Sequence, residues 1–206
     1  MVINYYGLSY FKIETKNAIL ALNPFSKDEE LKIEKVPKFK ADICLISKDD
    51  KRFNNFKVLE GNPLILKEPG EYEIKDIFIK GITDFRLDSL NTIFEIKAEG
   101  ITLLNLGVLK NPKLTDEILS KISELDVLII SIGKETLDSK EAVSIINSLE
   151  PKIIIPISLS SGLKEKTEEL SNFIKEISLK VETLDRLSIK KNDLSIDEQK
   201  IVILNH

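Results

Sequence analysis

Apolar and polar residues alternate along much of the first hundred positions, and this pattern predicts a series of short β-strands. Phe94, Ile96 and Ala98 are apolar, for example, whereas the residues between them are charged. Such alternation is typical of a sheet with one buried face. The predicted strands are Val2–Tyr6, Tyr10–Thr15, Ala18–Leu22, Ala41–Ile46, Leu64–Leu66, Glu71–Ile74, Ile77–Ile82, Thr92–Ala98 and Ile101–Leu106.

From about Pro112 the pattern changes to strands alternating with helices. The capping-box sequence DSKE at Asp138–Glu141 predicts a helix start, and Pro151 should end that helix. Another helix should begin at Thr115, and a third is predicted around Phe173 by apolar residues at helical spacing. Continuous apolar runs indicate strands covered on both faces; these and the closing strands are Val127–Ile130, Ile153–Ile155, a strand near Val181, Leu187–Ile189 and Ile201–Leu204.

Composition narrows the class of protein to a soluble one with a sizeable core. The chain has 206 residues, of which 42% are hydrophobic, enough for one layered domain spanning residues 1–206. The net charge of −4 argues against general binding to nucleic acid. No apolar stretch reaches the roughly 20 residues that a membrane helix needs, and the N-terminus lacks the pattern of a signal peptide. We therefore expect a cytoplasmic protein without a membrane or nucleic-acid partner.

Histidine and cysteine usage limits the chemistry further. The chain has one histidine, His206, and one cysteine, Cys44, which lies within an apolar run and is expected to be a core residue. Catalytic zinc almost always recruits histidine or cysteine side chains. The composition therefore argues against a histidine-based zinc site and against Ser-His or Cys-His nucleophile pairs.

A polar loop, Lys48–Arg52, follows the apolar run of the fourth predicted strand, and its surroundings resemble a known family. The matching segments are NYYGLSYFKIET at Asn4–Thr15, NPF at Asn23–Phe25, ADICLIS at Ala41–Ser47, EPGEYEIKDIFIKGI at Glu68–Ile82 and LDSKEAVSIINSLEPKIIIPI at Leu137–Ile157. In this order they resemble the metallo-β-lactamase fold, in its compact cytoplasmic branch related to sugar-lactone phosphate lactonases. The resemblance implies an α/β (α+β) architecture, a four-layer αββα sandwich.

The resemblance also implies where metal ligands would stand. The family uses an H-x-H-x-D-H loop, a later His, an Asp after Leu-Gly and a His after a proline, and the bound ions generate hydroxide near neutral pH. The corresponding positions here are Lys48, Asp50, Arg52, Phe53, Arg86, Val108 and Ser158. Only Asp50 is a good ligand for a divalent cation, and three of the others are cationic. Leu8 and Asn23 likewise stand where the family has a turn histidine and an aspartate. We therefore expect the fold without a metal cofactor and without the family's hydrolysis.

Three functions stay open at this point. The first is a non-catalytic binding or assembly protein, with a homo-oligomer or a protein as partner. The second is a protein that binds a small anion, phosphate or carboxylate, through a cationic cluster formed by Lys48, Arg52, Arg86 and Ser158. The third is a hydrolase that holds magnesium or manganese on carboxylates, for which the candidates are Asp49, Asp50, Asp84 and Asp88. An ordinary salt-bridged cluster without a ligand also fits the charges.

Overall fold

Two β-sheets packed face to face form the centre of the molecule. A computed structural model describes residues 1–29, 33–84, 91–110, 114, 116–159, 167–194 and 198–206. Within these residues the first sheet has six strands in the order β13-β1-β2-β3-β4-β5. They are β1 (Val2–Tyr5), β2 (Phe11–Glu14), β3 (Ile19–Leu22), β4 (Ile43–Leu45), β5 (Leu64–Leu66) and β13 (Leu187–Ser188).

The second sheet is larger and combines antiparallel and parallel pairing. Its eight described strands run in the order β12-β14-β11-β10-β9-β8-β7-β6, with β6 to β9 antiparallel and β9, β10, β11, β14 and β12 parallel. They are β6 (Gly70–Ile74), β7 (Ile77–Asp84), β8 (Asn91–Ala98), β9 (Ile101–Asn105), β10 (Val127–Ser131), β11 (Ile153–Ile157), β12 (Lys180–Leu184) and β14 (Lys200–Leu204).

Helices cover the outer face of the second sheet. They are α1 (Asp116–Leu119), α2 (Ser139–Leu149) and α3 (Glu168–Ile177). The predicted capping box is present at α2, because Asp138 accepts the Glu141 backbone N–H and the Glu141 side chain accepts that of Asp138. Thr115, predicted to cap α1, lies outside the described residues. No helix in the described part of the chain is long and apolar enough to cross a membrane.

The core consists of layers that follow the alternation of the strands. Leu20 and Leu22 of β3 lie in the cluster between the two sheets, whereas Ala21 points to the outer face of the first sheet. On that face the segment from Asn23 to Ala41 supplies the cover, and its described residues contain no helix. The sandwich matches the expected metallo-β-lactamase type, with an irregular outer layer on the six-stranded side.

Candidate functional site

The polar loop after β4 lies at the end of the sandwich where both sheets meet. The Ser47 carbonyl accepts the backbone N–H of Thr92 at 2.8 Å, and Ser47 Oγ accepts a hydrogen bond from Asn105 Nδ2 at 2.9 Å. These bonds join β4 of the first sheet to β8 and β9 of the second. The loop that the resemblance identifies with the family's metal loop therefore begins at a cross-sheet junction.

A buried hydrogen-bond network around the Asn23 amide stabilises this junction. Asn23 Oδ1 accepts the backbone N–H of Ser47 at 2.7 Å, and its Nδ2 donates to Ser9 Oγ at 2.8 Å and to Ser47 Oγ at 3.2 Å. Asn23, Ser9 and Ser47 are at most 1% exposed. Asn23 also adopts φ of 52°, a left-handed conformation that asparagine tolerates better than most residues. The family's aspartate position is thus occupied by a neutral side chain with both ends hydrogen-bonded.

A second amide holds the turn that follows β9. Asn91 Nδ2 donates to the Leu106 carbonyl, and Asn91 Oδ1 accepts the backbone N–H of Val108, both at 2.9 Å. Between them Gly107 has φ of 64°, and a Cβ there would lie 2.3 Å from Asn91 Oδ1. This turn needs glycine because both the conformation and the close approach exclude a larger residue.

Arg52 lies between two carboxylates that come from different parts of the fold. Its Nε donates to Asp50 Oδ1 at 3.2 Å, and its Nη1 donates to Glu135 Oε2 at 2.8 Å. Its backbone N–H adds a bond to Asp50 Oδ1 at 2.9 Å. Glu135 belongs to the loop between β10 and α2. The guanidinium therefore bridges the loop after β4 and a loop of the second sheet.

The pKa shifts of Asp50 and Arg52 favour the charged form of both side chains. Burial raises the pKa of Asp50, but the hydrogen bonds and the charge of Arg52 outweigh it, so that the pKa lies below its usual value. Burial correspondingly lowers the pKa of Arg52, and the bonds to Asp50 and Glu135 outweigh that, leaving it raised. Near neutral pH Asp50 and Arg52 therefore form an ion pair.

Two of the matched ligand positions are part of the hydrophobic core. Phe53 is fully buried, Val108 is 2% exposed, and both belong to the cluster between the sheets. Neither side chain offers a donor atom to a metal ion, and the Arg52 guanidinium lies 5.9 Å from the centre of the Phe53 ring. The residues described here do not fit the family's metal centre, because its positions hold hydrocarbon and a cation already paired with Asp50.

The remaining predicted residues are only partly placed. Lys48 is half-buried at the start of the loop, and Ser158 is 7% exposed directly after β11. Arg86 lies outside the described residues, so the predicted anion cluster stays a prediction.

The carboxylates proposed for a hard metal are likewise incomplete. Asp50 is engaged by Arg52, and Asp49 accepts a hydrogen bond from Asn54 Nδ2 at 2.7 Å. Asp88 and the side chain of Asp84 lie outside the description. Among the described residues, no three His, Cys, Asp or Glu side chains form a group that could hold a metal ion.

A cavity of about 290 Å³ opens beside the loop. It is lined by Ile46, Ser47, Lys48, Asp49, Lys67, Glu68, Pro69, Thr83 and Thr92. Lys67, Thr83 and Glu135 are not among the residues that the sequence predicts for this end. The sequence does mark Asn105 as unusual, since it is a lone amide inside the apolar run ITLLNL. No comparable sequence feature marks Glu135.

Comparisons with known proteins agree with this architecture. The family model described as "Beta-lactamase superfamily domain" matches residues 2–158. No curated protein matches the chain in sequence. A proposed Zn-dependent hydrolase of the metallo-β-lactamase superfamily from Thermotoga maritima is 25% identical, with a TM-score of 0.81 and coverage of 100% of this chain and 99% of that one.

Two more distant structures share the fold. The metallo hydrolase Igni18 from Ignicoccus hospitalis is 15% identical, with a TM-score of 0.64 and coverage of 99% and 94%. The metallo-β-lactamase fold protein YhfI from Bacillus subtilis is 9% identical, with a TM-score of 0.63 and coverage of 100% and 95%. With the family model matching most of its length and its two-sheet sandwich shared by these structures, the chain belongs to the metallo-β-lactamase superfamily.

Proposed function

We propose that this protein is a member of the superfamily that has lost metal-dependent hydrolysis and acts by binding. One observation carries the proposal: at the positions matched to metal ligands, Phe53 and Val108 are buried in the core and Arg52 is paired with Asp50. The family's chemistry depends on a metal that lowers the pKa of a bound water. Side chains without donor atoms cannot hold that ion.

Electrostatics supports the same conclusion. A divalent cation placed near Asp50 would compete with the Arg52 guanidinium for the carboxylate and would lie close to a like charge. Repulsion between like charges a few ångströms apart is worth about 1 kcal/mol or more even in a high-dielectric setting. Asp50 is one carboxylate, and a hard metal needs several oxygen ligands.

The similar structures support a fold that is found in hydrolases. The activity of this chain has to be inferred from the residues of its own site. The Thermotoga and Ignicoccus proteins are described as hydrolases. A fold hosts many functions, so the activity follows from the site and not from the architecture. The site here favours a binding or assembly role, with a small molecule, a second copy or another protein as partner.

Metal content tests the proposal most directly. The protein is produced with zinc, iron and manganese in the medium, purified without chelator, and measured by elemental mass spectrometry and a panel of lactone and phosphodiester substrates. We expect far less than one metal per chain and no turnover above a heat-denatured sample. Stoichiometric metal together with turnover that a chelator abolishes would overturn the proposal.

A matched variant separates the remaining metal hypothesis from this one. If carboxylates hold magnesium or manganese, Asp50→Asn should lower the affinity measured by titration calorimetry. If the proposal is right, the wild type and Asp50→Asn both show no saturable heat with either ion. Sedimentation equilibrium on the same sample then measures whether a second copy is the partner.

A further inference from the structure

The cavity beside the loop after β4 has walls that the fold itself fixes. The Ile46 backbone N–H donates to the Leu66 carbonyl at 2.9 Å, which joins the ends of β4 and β5. Thr92 Oγ1 donates to the Lys67 carbonyl at 3.0 Å, which attaches the segment after β5 to the second sheet. The cavity is therefore preformed between the two sheets, and its volume of about 290 Å³ suits a molecule of few atoms.

An unpaired hydroxyl lies in the wall of this cavity. Thr83 Oγ1 is buried and has no hydrogen-bond partner in the described part of the protein, where it is the one side-chain atom in that condition. Buried polar groups are nearly always hydrogen-bonded, so such an atom calls for a specific explanation. A ligand that accepts the hydroxyl proton would satisfy it.

Two lysine side chains line the same cavity. Lys48 and Lys67 make no ion pair with any carboxylate among the described residues, although many other lysines there do. The lining also holds two acids, of which Asp49 accepts a hydrogen bond from the neutral Asn54 amide and keeps its charge. Glu68 makes no side-chain bond with described residues and is exposed. The charges of the lining balance. Its two ammonium groups and the Thr83 hydroxyl are donors without a hydrogen-bond partner among the described residues, and a carboxylate or phosphate can accept from all three.

We propose that this cavity binds a small organic anion, a carboxylate or a phosphate group on a compact molecule, through Lys48, Lys67 and the Thr83 hydroxyl. The site rests on the proposed function, since a metal-dependent hydrolase would use this end of the sandwich for its substrate. It differs from the cluster expected from the sequence, because Arg52 is occupied by Asp50 and Glu135 and Lys67 takes its place.

The test is a two-dimensional amide NMR titration of the metal-free protein with inorganic phosphate, and separately with acetate, at constant ionic strength set with chloride. We expect saturable shifts centred on Ser47, Lys48, Thr83 and Thr92. Lys48→Ala and Lys67→Ala should each raise the dissociation constant about tenfold, the effect expected for loss of one charge-assisted hydrogen bond. Lys57→Ala, on the exposed 3-10 turn after the loop, should leave it unchanged.

Two further variants test the role of the Thr83 hydroxyl and the sign of the ligand charge. Thr83→Val should weaken phosphate binding with little effect on folding, because the hydroxyl has no partner to lose. Glu68→Gln should tighten it about twofold by removing a repulsive charge.

Several outcomes would refute the anion site. They are shifts that never saturate, shifts spread evenly over surface lysines, affinity equal in the lysine variants and the wild type, and weaker binding by Glu68→Gln. Elemental analysis of the same sample keeps the two proposals apart. If the protein is metal-free and fails to bind phosphate or acetate, the proposed anion site is refuted and the proposed loss of metal-dependent hydrolysis is not.

Discussion

Replacing Arg52 by glutamine should lower the free energy of unfolding at pH 7 by about 1.5 kcal/mol, since the guanidinium bridges two loops. Arg52 is 20% exposed, Asp50 is 26% exposed and Glu135 is 49% exposed. The better-shielded pair with Asp50 should contribute about 1 kcal/mol and the more exposed pair with Glu135 about 0.5 kcal/mol.

Urea denaturation followed by circular dichroism measures these contributions in a double-mutant cycle. The cycle compares Arg52→Gln, Glu135→Gln and the double variant, and a parallel cycle uses Asp50→Asn. The coupling energy should be about twice as large for Asp50 as for Glu135. Lys57→Gln, which changes a cation without a partner among the described residues, should alter stability by less than about 0.5 kcal/mol.

The pH dependence gives an independent check with a fixed sign. The pKa of Asp50 is lowered in the folded protein, so its contribution is complete above the unfolded value of about 3.9 and is lost as the pH falls through the folded value. The stability gap between wild type and Arg52→Gln should therefore shrink below about pH 4. A gap that is absent at pH 7 would refute the idea of a cationic bridge, and equal couplings to both carboxylates would refute the predicted ranking by exposure.

Two other substitutions test the framework of the fold. Asp126 is 1% exposed and bonds to Lys152, Lys191 and the Thr102 backbone. Asp126→Asn should therefore lower the free energy of unfolding by about 2–3 kcal/mol in urea melts. Glu124→Gln, at a side chain that is 85% exposed, should leave it nearly unchanged. Gly107→Ala should destabilise by about 2 kcal/mol or more through its contact with Asn91. Gly100 is also at positive φ, but a Cβ there would make only an ordinary contact of 3.7 Å with the Lys191 side chain, so Gly100→Ala should cost only about 1 kcal/mol in the same urea melts.

The strands and helices could be predicted because their signals are local. The strand at Leu64–Leu66 begins and ends where the sequence indicated, and the others differ by one or two residues at their ends. The predicted strand Ala41–Ile46 shortens to Ile43–Leu45, since its flanks form loop contacts instead of ladder bonds. The DSKE capping box was recognisable because both of its hydrogen bonds join residues three positions apart.

The site was harder to predict because its contacts join residues far apart in sequence. Glu135 meets Arg52 across 83 positions, and nothing in the loop sequence GKET marks it as a partner. The sequence placed Arg52 in an anion site, and only the geometry shows that carboxylates of the chain already occupy its guanidinium. Thr83 gave no signal either, since a threonine in a strand is usually bonded or exposed.

The proposed loss of metal is compatible with a stable fold because the junction between the sheets does not depend on an ion. Buried Phe53 and Val108 extend the central core up to the loop, and hydrocarbon there contributes stability through burial. Ser47 already joins Asn23 on the first sheet to Asn105 on the second through neutral hydrogen bonds. Phe53, Val108 and Arg52 thus have structural roles that a metal would disturb, because an ion would need donor atoms where the protein has packed or ion-paired side chains. The proposed binding site is the neighbouring cavity, where Lys48 and Lys67 form no ion pair with the described carboxylates.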